Sequence, residues 1–162
     1  MHRFMQLCDY ESASASVSEE VNRLKESGAF TEQEASLLNI NGLKRFFDSE
    51  LYKRMSKSKN VMREKSFIVK FSDIDADESL NEQYAGTDGM MQGIADCIFE
   101  EDDGYVLLDY KTDRVNSVLE LNERYSAQLM LYKAAFDIIL DKPVIKSYIY
   151  SLSLSEAVEV EV

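Results

Sequence analysis

The stretch GIADCIFEEDDGYVLLDYKTD, residues 93–113, predicts a β-hairpin that brings two carboxylates together. Two runs of apolar and aromatic residues flank an acidic turn at 101–104, which is the pattern of two strands joined by a tight turn. A two-residue loop and a four-residue loop give the same register, and both place Asp96 opposite Asp109 with Cβ atoms roughly 4.5–5.5 Å apart. A three-residue loop would put the two aspartates on opposite faces of the sheet. The length of the loop therefore decides whether the hairpin carries a paired-carboxylate site.

Lys111 lies two residues after Asp109, so it shares the face of the sheet on which the two aspartates meet. The alternation predicts that this face also carries Ile94, Ile98 and Leu107. The opposite face is predicted to carry Ala95, Cys97, Phe99, Val106 and Leu108. Strands that are apolar on both faces are typical of the covered interior of a sheet.

Two facing carboxylates repel each other, so one of them binds a proton or a cation lies between them. Two aspartates and a lysine around one point are typical of a Mg²⁺ site with a catalytic ammonium beside it. A surface ion network on an exposed sheet is the alternative interpretation, and the apolar residues around the pair argue against it.

The composition indicates one globular domain, since 162 residues can bury a core and 45% of them are hydrophobic. No run approaches the roughly 20 apolar residues of a membrane span, so we expect no membrane partner. The first ten residues, MHRFMQLCDY, mix polar and apolar side chains, so we expect no signal peptide. The start at Met1-His2 agrees with a domain taken from a longer chain.

The charge and the cysteine content exclude several classes of protein. The net charge of −12 has the wrong sign for a domain that grips nucleic acid unaided, so other parts of a longer protein would have to hold such a substrate. Two cysteines, Cys8 and Cys97, are too few for a disulfide framework or for a four-cysteine iron–sulfur cluster, and they favour a reducing cytosol.

The pattern of elements predicts an α/β domain with a mixed central sheet flanked by helices. A helical part covers 1–60 and an αβ core covers 61–162. The predicted elements are a helix tail at 1–10, a loop at 11–18, helices at 18–27, from Thr31 to about 55 and at 118–140, and strands at 61–71, in the hairpin, at 144–152 and at 157–162. Thr31 with Glu34 and Ser117 with Glu120 have the spacing of capping boxes.

Two further segments bear on function. The helix at 118–140 carries one stripe at helical spacing, in which Gln128 is the polar member: Leu121, Tyr125, Gln128, Leu129, Tyr132, Phe136 and Ile139. The segment after the first strand begins Asp73-x-Asp75-x-Asp77, which hints at a calcium loop. Glu78 and Tyr84 replace the required glycine and glutamate, so we expect a solvated loop instead.

Three separated motifs resemble the RecB-type branch of the PD-(D/E)XK nucleases. They are Gly93-Ile94-Ala95-Asp96, Asp109-Tyr110-Lys111-Thr112-Asp113 and Tyr125-x-x-Gln128-x-x-x-Tyr132. The segments MHRFMQ (1–6), FFDSEL (46–51) and VMREKSF (61–67) extend the resemblance over nearly the whole chain, to the C-terminal nuclease domains of bacterial helicase–nuclease subunits. The resemblance implies a restriction-endonuclease-like core with an N-terminal helical segment.

The resemblance also implies roles for single residues. It implies a metal site made of His2, Asp96, Asp109 and the main-chain carbonyl of Tyr110. Lys111 matches the catalytic lysine. Supporting roles are implied for Gln128, Tyr132 and Glu64, whereas Thr112 and Asp113 shape the end of the strand. The implied cofactor is Mg²⁺, which Mn²⁺ can replace.

The implied function is exonucleolytic hydrolysis of single-stranded DNA that an ATP-dependent helicase delivers during bacterial double-strand-break repair and recombination. ATP would bind outside this chain, because the sequence contains no GxxxxGK[ST] motif. A partner subunit with a similar, iron–sulfur-bearing nuclease domain is expected in the full complex. The alternatives are a catalytically silent nuclease-fold module for docking or DNA binding, and a metal-binding regulatory domain. Loss of Asp96, Asp109 or Lys111 would mark a silent module, and all three are present.

Overall fold

A five-stranded sheet separates one long helix from six short ones in the computed structural model, which describes residues 1–75 and 88–161. The helices are α1 His2–Leu7, α2 Tyr10–Ala15, α3 Val17–Glu26, α4 Glu32–Ser36, α5 Ile40–Asp48, α6 Glu50–Met55 and α7 Val118–Ile139. The strands are β1 Val61–Lys70, β2 Met90–Glu101, β3 Gly104–Lys111, β4 Val144–Ser151 and β5 Glu156–Glu159. The solvated loop predicted after β1 lies mostly outside the described residues.

The sheet is mixed, as the sequence predicts. Its strand order is β1-β2-β3-β4-β5, and only β3 and β4 run parallel to each other. Parallel neighbours need a crossover connection, and α7 supplies it. The hairpin between β2 and β3 has a two-residue turn, because Glu101 pairs with Gly104. This is one of the two loop lengths that place Asp96 opposite Asp109.

Apolar clusters cover both faces of the sheet. Phe67, Leu107 and Phe136 belong to the cluster under α7. Phe46 and Tyr150 belong to the cluster under the short N-terminal helices. Strands β2 and β3 are therefore covered on both sides, which confirms the prediction made from their apolar pattern. No helix in the described part of the chain is both long and apolar enough to span a membrane.

Side-chain caps explain where the helices differ from the predicted elements. Asp9 Oδ1 accepts a hydrogen bond from Ser12 N, so a helix forms at Tyr10–Ala15 where the sequence predicts a loop. The helix predicted from Thr31 to about 55 is three helices, since Asn39 and Ser49 each begin a new one as a cap.

The two predicted capping boxes have different outcomes. Thr31 and Glu34 form both reciprocal bonds. Ser117 caps α7, but the Glu120 carboxylate accepts from Asn116 N instead of closing the box. Ile139 does not continue the buried stripe of α7, because it is the last helical residue and is 42% exposed.

The alternation of side chains breaks where Glu64 faces Asp96. Cys97 packs under the N-terminal helices, whereas Ala95, two residues earlier, packs under α7. A regular strand would keep both on one face. The pairing of β1 with β2 is regular on either side of this point, and Glu64 between them has a positive φ of 50°.

This irregularity corrects two sequence predictions. Ala95 does not share the face of Cys97, and Ile94 does not join Ile98 in the core but is 53% exposed. A residue in the left-handed region behaves like a bulge, which bends a strand and re-aims the side chains beyond it. Glu64 holds this conformation at a cost of about 1–3 kcal/mol, so neighbouring contacts must stabilise it.

We expect Gly93→Ala to destabilise the protein by about 1–3 kcal/mol, because the site is already filled. A Cβ at Gly93 would lie 2.6 Å from Phe67 Cζ and 2.9 Å from Tyr132 Cζ. Those rings pack edge-to-face with centroids 4.9 Å apart, so neither can move freely. Urea denaturation measures the change. Gly89→Ala is the matched control, since its nearest neighbour would lie at 3.8 Å, and it should change stability by less than about 0.5 kcal/mol. Equal effects of the two substitutions would contradict this packing.

Candidate metal centre and active site

Three potential metal ligands converge from three different elements. One ligand atom each of His2, Glu64 and Asp96 lies within 4.8 Å of the other two. His2 begins α1, Glu64 lies in the middle of β1, and Asp96 lies in β2. One imidazole nitrogen with carboxylate oxygens is a donor set that suits Mg²⁺ and still better Mn²⁺. The arrangement brings together two predicted ligands and one residue predicted to support them.

Arg63 ties helix α1 to the sheet and so places His2. Its guanidinium donates to the carbonyl oxygens of Cys8 at 2.8 Å and Gln6 at 2.6 Å, and also to that of Met5. These are carbonyls at the end of α1, where a cation is favoured by the helix dipole. The same guanidinium lies over the Tyr10 ring, 4.1 Å from its centroid. These contacts fix the position of the short helix α1 and therefore of His2, whose side chain is partly exposed.

Glu64 is held by the same helix. Gln6 Nε2 donates to Glu64 Oε2 at 3.0 Å. His2 and Gln6 are four residues apart on α1, so they lie on one face of the helix. This i, i+4 spacing in MHRFMQ is the sequence signal from which Gln6 could have been found, although it cannot say what Gln6 would meet.

Asp96 is held from two sides. Its Oδ1 lies 2.8 Å from His2 Nε2, and its Oδ2 accepts from Tyr110 N at 2.7 Å. The regular pairing of β2 with β3 stops one position before Asp96, at Cys97 and Leu108. The carboxylate thus satisfies an amide at the point where the pairing ends. The structure places the Tyr110 amide, and the role of the Tyr110 carbonyl as a ligand stays a prediction.

The hydrogen bond with Asp96 raises the pKa of His2, although partial burial of the imidazole acts in the opposite direction. A metal ion binds only neutral imidazole, so a divalent cation and a proton compete at this nitrogen.

Asp109 is the least well compensated charge of the site. The residue is only 6% exposed, and Oδ2 is buried with no well-formed hydrogen-bond donor among the described residues. Lys111 Nζ lies 2.7 Å from this oxygen and forms an ion pair with it. Burial and the neighbouring Asp96 carboxylate raise the pKa of Asp109, against the opposing effect of Lys111 and His2.

This environment fits a divalent cation. A buried carboxylate that has a single ammonium as its partner, and whose ionised form is opposed by a second carboxylate, is stabilised when a further cation binds next to it. Asp109 is not one of the three residues whose ligand atoms converge, since its carboxylate is paired with Lys111. The charges of Asp96 and His2 both act on the pKa of Asp109, so Asp109 belongs to the electrostatic surroundings of the candidate metal centre.

Lys111 is surrounded by residues of α7. Gln128 Oε1 accepts from its ammonium at 3.4 Å, and Gln128 Nε2 donates to Tyr132 Oη at 3.2 Å. Of the predicted supporting residues, Gln128 thus contacts the lysine directly, and Tyr132 is connected to the lysine through Gln128. The Tyr125 ring also lies against the ammonium, with its centroid 4.3 Å from Nζ. The sequence reasoning assigned Tyr125 to the stripe of α7 but gave it no role at the site.

Comparison with known proteins relates the chain to a family of nucleases. Residues 1–158 match the family model of the PD-(D/E)XK nuclease superfamily. The chain is 40% identical to the ATP-dependent helicase/nuclease protein AddA of Thermoanaerobacter sp. (strain X514), over 93% of this chain and 12% of that protein. It is 35% identical to the protein of the same name from Clostridium botulinum (strain 657 / Type Ba4), over 99% of this chain and 13% of that protein. The chain thus spans about one eighth of the length of these relatives.

We expect Asp96→Asn to weaken Mn²⁺ binding by at least about tenfold, because the amide keeps the size of the carboxylate but loses its charge. Isothermal titration calorimetry on the 162-residue chain measures the affinity. Asp103→Asn, at the exposed tip of the same hairpin, makes the same change of charge and should leave the affinity unaltered. Mn²⁺ binding by Asp96→Asn with the affinity of the unsubstituted chain would remove Asp96 from the metal centre.

Proposed function

Because the chain belongs to the PD-(D/E)XK nuclease superfamily, we propose that it is a metal-dependent nuclease domain that hydrolyses phosphodiester bonds of single-stranded DNA. The observation that carries this proposal is the buried ion pair of Asp109 and Lys111 beside the converging His2, Glu64 and Asp96. In the proposal, residues 1–162 act as one domain, with the helical part at 1–60 and the αβ core at 61–162.

The metal would be held by His2, Asp96 and Asp109, with the Tyr110 carbonyl as a further ligand and Glu64 close enough to take part. Bound Mg²⁺, or Mn²⁺ in its place, would lower the pKa of a water ligand and neutralise charge that develops on the phosphate. The donor set supports this choice of ion, since it consists of carboxylate oxygens and one imidazole.

Lys111 is the proposed catalytic residue of the protein itself. An ammonium has three N–H donors, and Lys111 uses its contacts with Asp109 and Gln128 to stay in place. A donor remains for a phosphate oxygen or for the attacking water. Its compact positive charge would stabilise the additional negative charge of the pentavalent transition state.

The remaining residues hold this arrangement. Asp96 keeps the His2 imidazole in place and is itself fixed by the Tyr110 amide. Gln128 links the lysine to Tyr132, whose ring packs on Phe67 in the core. Such preorganisation matters because small displacements of reacting groups cost large factors in rate.

The proposed substrate follows from charge and from the relatives. A domain with a net charge of −12 repels a polyanion over most of its surface, so a strand must be delivered to the site. The AddA relatives are named as subunits of an ATP-dependent helicase/nuclease, and the chain covers only 12–13% of their length. We therefore propose that a helicase part delivers the single strand, that an AddB-type subunit is the partner, and that the complex acts in bacterial cytoplasm in double-strand-break repair and recombination.

We expect Lys111→Ala to lower the rate of cleavage of labelled single-stranded DNA in Mg²⁺ by roughly 10²–10³-fold, because it removes a donor to the transition state. Circular dichroism checks that the variant is folded. The control is Lys146→Ala, which removes a lysine of β4 from an ion pair with Glu159 of β5. This variant should retain full activity. If Lys111→Ala is folded and cleaves as fast as the unsubstituted chain, the role proposed for Lys111 is wrong.

Chelation tests the metal. Cleavage should stop in EDTA and return when excess Mg²⁺ or Mn²⁺ is added, whereas NaCl at the same ionic strength, which controls for charge screening alone, should not restore it. Cleavage that continues at its original rate after chelation would contradict a metal-dependent mechanism. A folded chain that binds Mn²⁺ but never cleaves DNA would instead identify a silent nuclease-fold module.

A further inference from the structure

Tyr125 and Asp113 belong to the sequence motifs but have no role in the proposed mechanism. Tyr125 contacts Lys111, and Asp113 contacts Tyr125. Tyr125 lies on α7, and its ring centroid is 4.3 Å from Lys111 Nζ. Asp113 follows β3 and accepts a hydrogen bond from Tyr125 Oη through Oδ2. The distance between ammonium and ring is well inside the roughly 6 Å over which cation–π attraction acts.

We propose that Tyr125 is a positioning residue for hydrolysis: its ring face holds the Lys111 ammonium in the active centre, and Asp113 holds the ring. The inference rests on the proposed function, because it assigns these residues to the reaction in which Lys111 acts.

Among the described residues, the polar contacts of Lys111 leave one side of its ammonium without a partner, and the Tyr125 ring lies on that side. The lysine side chain is 17% exposed and has four rotatable bonds, so holding its ammonium in one position costs conformational entropy. Its ion pair with Asp109, at 2.7 Å, restrains one side of the ammonium, and its hydrogen bond to Gln128 is long, at 3.4 Å. The aromatic face of Tyr125 covers a third side, which neither polar contact restrains.

An aromatic face is suited to this position for a second reason. The attraction between a cation and a ring comes from the whole ammonium charge and is not assigned to one N–H bond. The ammonium can therefore rotate and donate to a phosphate oxygen without losing its contact with Tyr125. Another carboxylate at this place would instead neutralise the charge and compete for the same donors.

Asp113 makes the ring position definite. The hydrogen bond to Asp113 raises the pKa of Tyr125, so the phenol stays neutral and remains a donor near neutral pH. The main chain of Asp113 is itself anchored, because its carbonyl oxygen accepts from Ser153 Oγ at 2.7 Å. The ring is thus fixed to the segment that follows the lysine and to the turn after β4.

Steady-state cleavage of single-stranded DNA in Mg²⁺ tests the role. Tyr125→Leu should lower kcat by about 5- to 30-fold with little change in KM, the range that a desolvated cation–π contact is worth. Tyr125→Phe keeps the ring and should stay within about threefold of the unsubstituted chain. Tyr148→Leu is the matched control, because it removes a ring from another cation–π contact, with Arg54, and should leave kcat unchanged.

A spectroscopic measurement needs no DNA and no metal. In protein labelled with ¹³C-lysine, the ε-methylene signal of Lys111 should be shifted upfield by the ring current of Tyr125, and Lys111→Arg identifies the signal. The shift should persist in Tyr125→Phe and Tyr148→Leu and disappear in Tyr125→Leu.

The two measurements separate this inference from the function on which it rests. If the unsubstituted chain fails to cleave DNA, the proposed function fails, while the methylene shift still decides whether the ring holds the lysine. If Tyr125→Leu keeps full kcat, or if Tyr125→Phe loses as much activity as Tyr125→Leu, the positioning role is overturned. A methylene signal that does not respond to Tyr125→Leu overturns it as well.

Discussion

The repulsion between two carboxylates in a largely water-free space is the constraint around which this protein is organised. Asp109 is 6% exposed, and burial of its carboxylate, together with the neighbouring charge of Asp96, raises its pKa. Neither burial nor repulsion favours the ionised pair, so a positive group must balance it. In the described structure Lys111 does so in part, and His2 does so for Asp96. A site that stabilises its own charges incompletely is one that gains free energy when it binds a cation.

The two sides of the sheet contribute different parts of the site. The N-terminal helices bring the histidine, which Arg63 fixes by binding the carbonyls at the end of α1. Helix α7 brings Gln128 and Tyr125 to the lysine from the opposite side. A regular sheet would keep such groups on separate faces. The irregular pair of Glu64 and Asp96 lets carboxylates in the middle of the sheet meet a histidine that lies outside it.

The acidity of the domain and the position of the site are related. A net charge of −12 opposes the spontaneous binding of DNA, whereas Lys111 offers a local positive charge. Such a domain would bind free DNA weakly and cleave it only at high DNA concentration, and it would act most efficiently on a strand that another part of a longer protein presents. The short length of this chain relative to its relatives agrees with that division of tasks.

The sequence by itself determined the elements whose causes are local. The hairpin was predictable from an acidic turn between apolar runs, although the two-residue turn that sets its register was visible only in the structure. Helix α7 was predictable from a stripe at helical spacing, and the Thr31 capping box from two residues three positions apart. The hairpin pattern also predicted that Asp96, Asp109 and Lys111 lie near one another, although the regular pairing of β2 with β3 ends at Cys97 and Leu108, one position before the two aspartates.

Only the tertiary structure decided which residues join these three. Glu64 adopts a positive φ that no short sequence pattern requires, and this reverses the side-chain faces around Ala95. The contacts of Arg63 with α1, of Gln6 with Glu64 and of Tyr125 with Lys111 connect residues that are far apart in the chain or on different elements. Those contacts depend on how helices pack on the sheet, and packing is determined by shape and burial over the whole domain rather than by local sequence.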